Sequence, residues 1–178
     1  MKLPVLTIYQ PWASLVANES KVYETRSRPF NYRGKILIHS AKKPFETSGF
    51  NFTDREFKRF AGALNLPTIY DFKKLPYGAI IAIAELVECW RIPFGVDERV
   101  TQAELQSDSN GGKQRFIYHR QPANHHSENE LRFGDFRTGR FALEFRNVKK
   151  LPVPILARGK QGVWYFDFDD EESENGNN

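Results

Sequence analysis

Charged side chains that could bind or transform a ligand are concentrated in residues 21–26, which read Lys-Val-Tyr-Glu-Thr-Arg. Seven basic residues and a single acid, Glu24, lie between positions 21 and 43. The guanidinium of Arg26 is suited to phosphate because its planar fork can make two parallel hydrogen bonds. Two interpretations follow: a solvated basic edge strand with a Lys21–Glu24 pair, or the rim of a ligand-binding cleft.

The elements around these residues favour the cleft. A short helix precedes the charged stretch and begins at Pro11, so that Gln10 and Trp12 flank its start. An apolar strand that ends in His39 follows the charged stretch. Polar groups gathered at the ends of buried elements are typical of ligand-binding clefts. We therefore expect Gln10, Trp12 and His39 to bind the ligand together with Arg26. Two alternatives stay open, since Trp12 could either stack on a nucleobase or fill the core, and a lone His39 is often structural.

Glu85 is a further candidate because it lies in the most apolar strand pattern of the chain, residues 81–87. Alternation places its carboxylate on an apolar face, where a charge requires a partner. Either Glu85 marks the end of the strand and reaches water, or it is the buried partner of Lys21 or Arg26. In the second case the pair could orient a ligand or move a proton. Glu24 would then act as a second acid or base, or only fix Arg26.

A second group of basic residues occupies the C-terminal third of the chain. We expect Arg140 and Lys160 of this group to contact the ligand, although surface charges can equally serve solubility alone. The whole group comprises Arg137, Arg140, Lys149, Lys150, Arg158 and Lys160.

The distribution of charge points to a polyanionic partner. The chain of 178 residues has a net charge of +4, but residues 169–178 contain five acids and no base. Without them, 26 basic residues face 17 acidic ones, a net charge of +9. Such a body favours nucleic acid over a membrane surface as partner. We predict one domain over residues 1–168 and a disordered acidic tail over residues 169–178.

Several classes of protein are not expected. A single cysteine, Cys89, excludes a disulfide framework and a multi-cysteine metal site. His119, His125 and His126 lie in a polar segment without a carboxylate pair, so neither a metal nor another cofactor is predicted. The longest apolar run, residues 79–84, is too short to span a membrane, and no signal peptide pattern is visible. We expect a cytoplasmic protein with no membrane partner and leave its oligomeric state open.

Short strands with helices between them predict a compact α+β barrel. Thr53 and Thr101 each begin a capping-box pattern, which predicts a helix over residues 53–64 and a short one from residue 101. Residues 106–130 are polar and lack a sustained period, so they predict a long mobile loop. A further helix is predicted over residues 11–17, and strands over residues 5–9, 22–26, 34–39, 78–87, 140–146 and 163–168.

Three segments together resemble the opening of an ASCH domain. They are residues 8–13, 21–26 and 36–39, which read Ile-Tyr-Gln-Pro-Trp-Ala, Lys-Val-Tyr-Glu-Thr-Arg and Ile-Leu-Ile-His. The ASCH signature is a G-x-K-x-x-E-x-R stretch behind a helix, and Glu19 stands where that family usually has Gly. Residues 134–136, 139–142 and 159–164 resemble later segments of bacterial ASCH proteins, so the likeness extends from about Leu3 to Asp167.

The resemblance implies a small PUA-like β-barrel with short helices inserted between strands. It also implies a cleft lined by the signature residues and a role in binding RNA or a nucleotide-like ligand. Some small ASCH proteins are amidohydrolases that remove the acyl group from N4-acetylcytidine, and others are reported as ribonucleases. The amidohydrolase lysine falls on Lys21, its strand glutamate on Glu85, and its nucleophilic threonine on Glu24, with Thr25 one place away.

Three hypotheses about function remain. The first is a module that binds RNA or a nucleotide and needs no nucleophile. The second is a hydrolase, either an amidohydrolase or a ribonuclease, in which Lys21, Glu24 and Glu85 are catalytic. The third is an interaction domain whose charges serve solubility alone.

Overall fold

The fold is mixed α+β and is seen in a computed structural model that describes residues 1–44, 52–94, 102–107, 114–118 and 127–169. The helices in this part of the chain are α1 (Trp12–Ala17), α2 (Asp54–Ala63), a 3₁₀ helix (Ile69–Lys74) and α3 (Ser127–Phe133). The strands are β1 (Lys2–Ile8), β2 (Tyr23–Arg26), β3 (Gly34–Ser40), β4 (Ala79–Arg91), β5 (Gln102–Ser107), β6 (Gln114–Tyr118), β7 (Phe141–Leu156) and β8 (Val163–Asp167).

The strands belong to one sheet with the order β2-β7-β4-β3-β1-β8, while β5 pairs with β4 and β6 pairs with β5. β1 runs parallel to β3, with Val5 opposite Leu37, and antiparallel to β8. The predicted α+β class is confirmed. The pairings of the described residues follow an open order from β2 to β8, so the predicted closure into a barrel is not confirmed.

The chain divides into two compact units. Unit 1 consists of the described residues of Met1–Glu19, Lys35–Ala84 and Val148–Asn178. Unit 2 consists of those of Ser20–Gly34 and Glu85–Asn147. The long strands β4 and β7 each contribute residues to both units.

The core of unit 1 is built from the apolar faces of β1, β3, β4 and β8. Val5, Leu37 and Ile80 are completely buried in it because the strand pattern places them on the inner side of the pleat. The predicted α2 is confirmed with its capping box, since Thr53 Oγ1 accepts a hydrogen bond from the Glu56 N–H and the Glu56 carboxylate accepts one from the Thr53 N–H.

The core of unit 2 is aromatic. Tyr23, Trp90 and Phe136 pack there with aliphatic side chains from β5 and α3. β2 pairs antiparallel with β7, and Tyr23 lies opposite Glu144. Because successive side chains of a strand point to opposite faces, Tyr23 and Thr25 share one face of β2 while Glu24 and Arg26 share the other.

The prediction for residues 101–130 was wrong in two respects. The segment from Gln102 to Ser107 is strand β5 rather than a helix, and the expected loop contains strand β6 and helix α3. The reason is that β5 pairs with both β4 and β6, and Leu105 is completely buried. Long-range pairing therefore overrides the local capping-box pattern at Thr101, which itself lies outside the described residues.

The other predicted elements are confirmed within a few residues, except that two strands are longer. β4 continues to Arg91, and β7 continues from the predicted segment to Leu156. Of the predicted tail, residues 170–178 lie outside the described residues. Within the described part of the chain, no helix combines the length and apolar character needed to cross a bilayer.

Candidate functional site

Lys21 is the most deeply buried charged side chain of the candidate site, with none of its side chain exposed. Its ammonium donates a hydrogen bond to the Tyr23 carbonyl. Nζ also lies 3.8 Å from Glu24 Oε2 and 3.9 Å from Glu130 Oε1. A buried ammonium requires such compensation, because the loss of its hydration is costly.

Glu130 of helix α3 is the main buried partner of Lys21. Its two carboxylate oxygens accept hydrogen bonds from the backbone N–H groups of Val22 and Tyr23, each at 2.9 Å. Burial raises the pKa of Glu130, while the Lys21 charge and the two N–H groups oppose the rise. One carboxylate thus fixes both the start of β2 and the position of the Lys21 ammonium.

Sequence reasoning missed Glu130 because it placed the residue at the end of a loop. One signal could have found it, namely the apolar residues Leu131 and Phe133 next to it in an otherwise polar segment. Both are buried in the structure, as expected for the packed side of a helix.

Glu24 connects the buried ammonium with the surface. Its side chain is 13% exposed, and its Oε1 lies 3.4 Å from Nε of Arg26, whose side chain is 36% exposed. Both residues project from the same face of β2. The charges of the signature therefore form a chain from the buried Lys21 through Glu24 to the partly exposed guanidinium of Arg26.

Arg140, a member of the second basic group predicted from the sequence, lies beside the same strand, and its contact with a ligand stays a prediction. Its Nε donates to the Asp135 carbonyl at 3.0 Å, and its Nη2 donates to the Thr25 carbonyl at 3.5 Å. Asp135 in turn donates its N–H to Thr25 Oγ1 at 2.9 Å. The Arg137 guanidinium, with Arg140 nearby, holds the pKa of Asp135 below its ordinary value.

Glu85 is only partly buried, and its Oε2 accepts an exposed hydrogen bond from Asn147 Nδ2 at 2.8 Å. The carboxylates beside Lys21 are instead Glu24 and Glu130. Of the two interpretations of Glu85, the structure therefore favours a carboxylate that reaches water, and the pairing with Lys21 was wrong. The cause is α3, which brings a carboxylate to Lys21 from a segment that looked unstructured. A chemical role for Glu85 stays a prediction.

Four of the predicted ligand-binding residues belong to unit 1, and Gln10 is completely buried there. Gln10 Nε2 donates to the Pro76 carbonyl at 2.8 Å, and its Oε1 accepts from the Ser14 N–H at 3.1 Å. Both ends of the amide are therefore used within the fold, where they tie α1 to the segment before β4.

His39 is also completely buried in unit 1. Its Nε2 lies 3.1 Å from the Ala157 carbonyl, and since a carbonyl can only accept, Nε2 carries the proton. The ring meets the edge of Trp164 at 5.4 Å, and Nδ1 has no hydrogen-bond partner among the described residues. Burial lowers the pKa of His39, which keeps the imidazole neutral.

Trp12 and Lys160 differ in their exposure. Trp12 is partly buried and packs against Phe52 at 5.6 Å and Phe60 at 5.7 Å, which favours the core-filling interpretation. Lys160 is exposed, and its carbonyl accepts a hydrogen bond from Thr7 Oγ1 at 3.3 Å. The residues that the structure brings together are thus those of unit 2, while ligand binding by the four unit 1 residues stays a prediction.

A sequence model of the ASCH domain family matches residues 6–125, about two thirds of the chain. The chain belongs to the ASCH domain family. ASCH domains fall in the PUA-like superfamily. No curated protein matches the sequence significantly.

The turn before Lys21 has a backbone conformation that is unusual for a residue with a side chain. Glu19 has a φ of +62°, in the left-handed region, and its N–H donates to the Val16 carbonyl at 3.1 Å. Glycine adopts this conformation without the steric penalty that a Cβ brings. Glu19 therefore stands at a backbone position that favours glycine.

The described ASCH residues offer no group of three or more His, Cys, Asp or Glu side chains that could hold a metal ion. His119, His125 and His126, the histidines of the polar segment, lie outside the described residues.

Proposed function

We propose that this ASCH domain binds RNA or a nucleotide through the charged residues of β2. One observation carries the proposal, namely that the chain of ion pairs runs from a fully buried ammonium to a partly exposed guanidinium. Because Lys21 is enclosed, its role is to hold Glu24, and Glu24 holds Arg26 at 3.4 Å. Arg26 is then the group that meets the ligand.

A phosphate is the ligand group that fits this arrangement best. Arg26 and Arg140 present planar guanidinium groups, of which 36% and 25% of the side chain is exposed. Such forks bind phosphate oxygens in pairs. The net charge of +9 outside residues 169–178 draws a polyanion towards the domain. Single-stranded RNA and a free nucleotide share this phosphate chemistry.

The proposal is tested by fluorescence anisotropy with a short labelled single-stranded RNA, on the protein and on Arg26→Ala. Loss of a charge-assisted phosphate contact should raise Kd about tenfold, which corresponds to about 1.4 kcal/mol. The matched control is Arg55→Ala, which removes an exposed arginine from α2 and should change Kd less than about twofold. Equal losses in both variants would show that binding depends on net charge alone.

The salt dependence of RNA affinity and competition by a free nucleotide test the same proposal further. Affinity for RNA should fall between about 50 and 200 mM salt, because binding to phosphates releases counterions. Competition by cytidine monophosphate would identify the nucleotide as sufficient, and its absence would identify the RNA strand. Absence of any salt-dependent binding to either ligand would refute the proposal and leave the interaction-domain hypothesis.

A second candidate function is hydrolysis of an acylated nucleoside or of RNA. The supporting observation is that Lys21 and Glu24 meet at 3.8 Å while Glu24 remains 13% exposed, so a carboxylate next to an ammonium can reach water. Glu24 could then act as a base towards that water. Hydrolysis of N4-acetylcytidine would add water to the acetyl carbonyl, break the amide bond between the acetyl carbon and N4, and release acetate and cytidine.

This candidate is tested by chromatography of N4-acetylcytidine and of a short RNA after incubation with the protein. A hydrolase should lose turnover in Glu24→Gln, which keeps the shape of the side chain and removes its basicity. Glu85→Gln tests the predicted role of the β4 carboxylate. Binding without turnover would assign the domain to the first function.

The proposal also includes the finer features implied by the family, a PUA-like barrel over residues 1–168 and a cytoplasmic location. The barrel belongs to this proposal because a PUA-like barrel presents its signature residues to the nucleic acid. Fractionation of cells that express the tagged protein tests the location.

A further inference from the structure

We propose that unit 1 carries a second binding site, for a small organic anion with an apolar body. The site is a cavity of about 440 Å³ between α1, the end of α2, the end of the 3₁₀ helix and the second half of β7. This volume falls within the range of roughly 300–1,000 Å³ that is usual for small-molecule pockets. It contains none of the signature residues, so the inference is independent of the proposed function.

The walls of the cavity are mostly apolar. Ile81 of β4 and Leu151 of β7 lie in the lining, and each residue is only 2% exposed. Leu64, Leu66 and Leu75 add further aliphatic surface. An apolar part of a ligand would therefore leave water on entering, at about 25 cal/mol for each Å² removed from solvent.

The turn after α2 places two of these leucines. Asn65 adopts a left-handed φ of +53°, and the Leu66 N–H donates to the Ala61 carbonyl at 2.8 Å. This is the usual way in which a helix C-terminus is closed. It reverses the chain at the helix end, so Leu64 and Leu66 line one wall.

Hydrogen bonds fix the opposite wall, so the cavity exists before any ligand binds. Gln10 bonds to both Ser14 and Pro76, and these two residues line the cavity. Asn18 Nδ2 donates to the Ala63 carbonyl at 2.9 Å, which joins the end of α1 to the end of α2. A preformed pocket binds with a smaller loss of conformational entropy than one that must be ordered.

The charges at the cavity select an anion. Lys74 and Lys150 belong to its lining, and no acidic residue of the described chain does. Lys74 is paired with Asp71 at 2.6 Å, whereas Lys150 forms no ion pair with any described residue. The ammonium of Lys150 and the Ser14 hydroxyl are the groups that a carboxylate, sulfonate or phosphate would meet.

The test compares two ions with the same tail and opposite charge, octanoate and octyltrimethylammonium, by isothermal titration calorimetry. Octanoate should bind with saturation and about tenfold more tightly than the cation, because only the anion can pair with Lys150. Butanoate should bind more weakly than octanoate, because it buries less apolar surface. Equal affinity for the two octyl ions, or for butanoate and octanoate, would overturn the proposal, as would the absence of saturable octanoate binding.

A matched pair of variants tests the location. Lys150→Glu should weaken octanoate binding about fivefold or more, while Lys149→Glu should leave it nearly unchanged. Both lysines are exposed, and the substitutions change the net charge equally, but of the two only Lys150 lines the cavity. In methyl NMR spectra octanoate should shift Leu64, Leu66 and Ile81. Equal effects of the two variants, or unshifted methyl groups, would contradict the assignment.

Discussion

The two units bury polar side chains in different ways. In unit 1 the completely buried polar residues Gln10 and His39 are neutral and bond to backbone groups of neighbouring elements. The charged Asp71 of unit 1 is 9% exposed and pairs with the exposed Lys74. In unit 2 the buried polar residues Lys21 and Glu130 are an ammonium and a carboxyl group. Their pairing continues through Glu24 to the surface, whereas the bonds of Gln10 and His39 remain inside the fold.

The comparison distinguishes buried polar side chains that only stabilise the fold from buried polar side chains that position a ligand-binding residue. A neutral hydrogen bond to the backbone contributes about 1 kcal/mol and satisfies a group that would otherwise be orphaned. A buried ion pair is a weak source of stability, because desolvation offsets most of its attraction. In unit 2 the pair instead positions Arg26, and this is why we assign ligand binding to unit 2 rather than to Gln10 and His39.

The strongest test of this contrast is Lys21→Met. It removes the ammonium and leaves the Glu130 carboxylate buried beside a thioether. Breaking one partner of a buried ion pair typically costs about 3–5 kcal/mol, so the free energy of unfolding should fall by that amount. Urea unfolding followed by circular dichroism measures the change.

The control for Lys21→Met is the double variant Lys21→Met/Glu130→Gln. If the loss arises from an uncompensated carboxylate, neutralising Glu130 should restore a large part of it, with a coupling energy of about 1–3 kcal/mol. Additive losses, or a loss below about 1 kcal/mol in Lys21→Met, would show that the pair is not buried as described.

A second prediction concerns the packing around His39 in unit 1. A Cβ on Gly159 would lie only 2.5 Å from His39 Cε1, so Gly159→Ala should displace the ring and lower the free energy of unfolding by about 1–3 kcal/mol. The control is Gly62→Ala in α2, where nothing lies within 4 Å of the added Cβ. It should stabilise the protein by about 0.5–1 kcal/mol. Similar effects of both substitutions would refute the close packing of His39.

A third prediction concerns Glu19, the last residue of the first segment of unit 1. Glu19→Gly should raise the free energy of unfolding by up to about 1 kcal/mol, because glycine relieves the left-handed strain and loses part of this gain to chain entropy. Glu19→Ala keeps the strained conformation and should not stabilise. Chemical denaturation compares the two variants, and equal stability of both would assign the effect to the lost charge instead.

Local patterns were sufficient for much of the fold. The continuous apolar runs of β3 and of the first half of β4 reflect burial of both strand faces, and the capping box at Thr53 joins residues three positions apart. The link from Glu24 to Arg26 is equally local, since two residues of one strand face share it. Each of these features depends on side chains close together in sequence.

The contacts that the sequence did not reveal join distant residues. Glu130 meets Val22 across 108 positions, and β5 is held by pairing with β4 and β6. An apolar context shows that Glu85 requires a partner, but it carries no information on which residue supplies it. Of the two interpretations that this context left open for Glu85, the one that paired it with Lys21 was therefore wrong.

The smallest expected effect is a difference in pH dependence between the units. Burial lowers the pKa of His39 from 6.5, so below pH 6.5 the unfolded chain binds more protons at this position than the folded one. The contribution of His39 to stability is therefore complete above pH 6.5 and declines as the pH falls from there through its folded pKa.

Burial raises the pKa of Glu130 from 4.5, so above pH 4.5 the folded protein holds the proton more strongly than the unfolded chain does. The contribution of Glu130 is complete below pH 4.5 and declines as the pH rises through its folded pKa.

Urea unfolding between about pH 4.5 and 7.5 can measure these two opposite pH dependences of stability separately. The stability of the protein relative to His39→Gln, in which the amide can still donate to the Ala157 carbonyl, should increase with pH up to about 6.5. Its stability relative to Glu130→Gln should decrease as the pH rises from about 4.5. The two slopes differ in sign because one buried group is a base that must stay neutral and the other is an acid that burial drives towards neutrality. Slopes of the same sign would mean that the two units do not differ in how they bury their titratable groups.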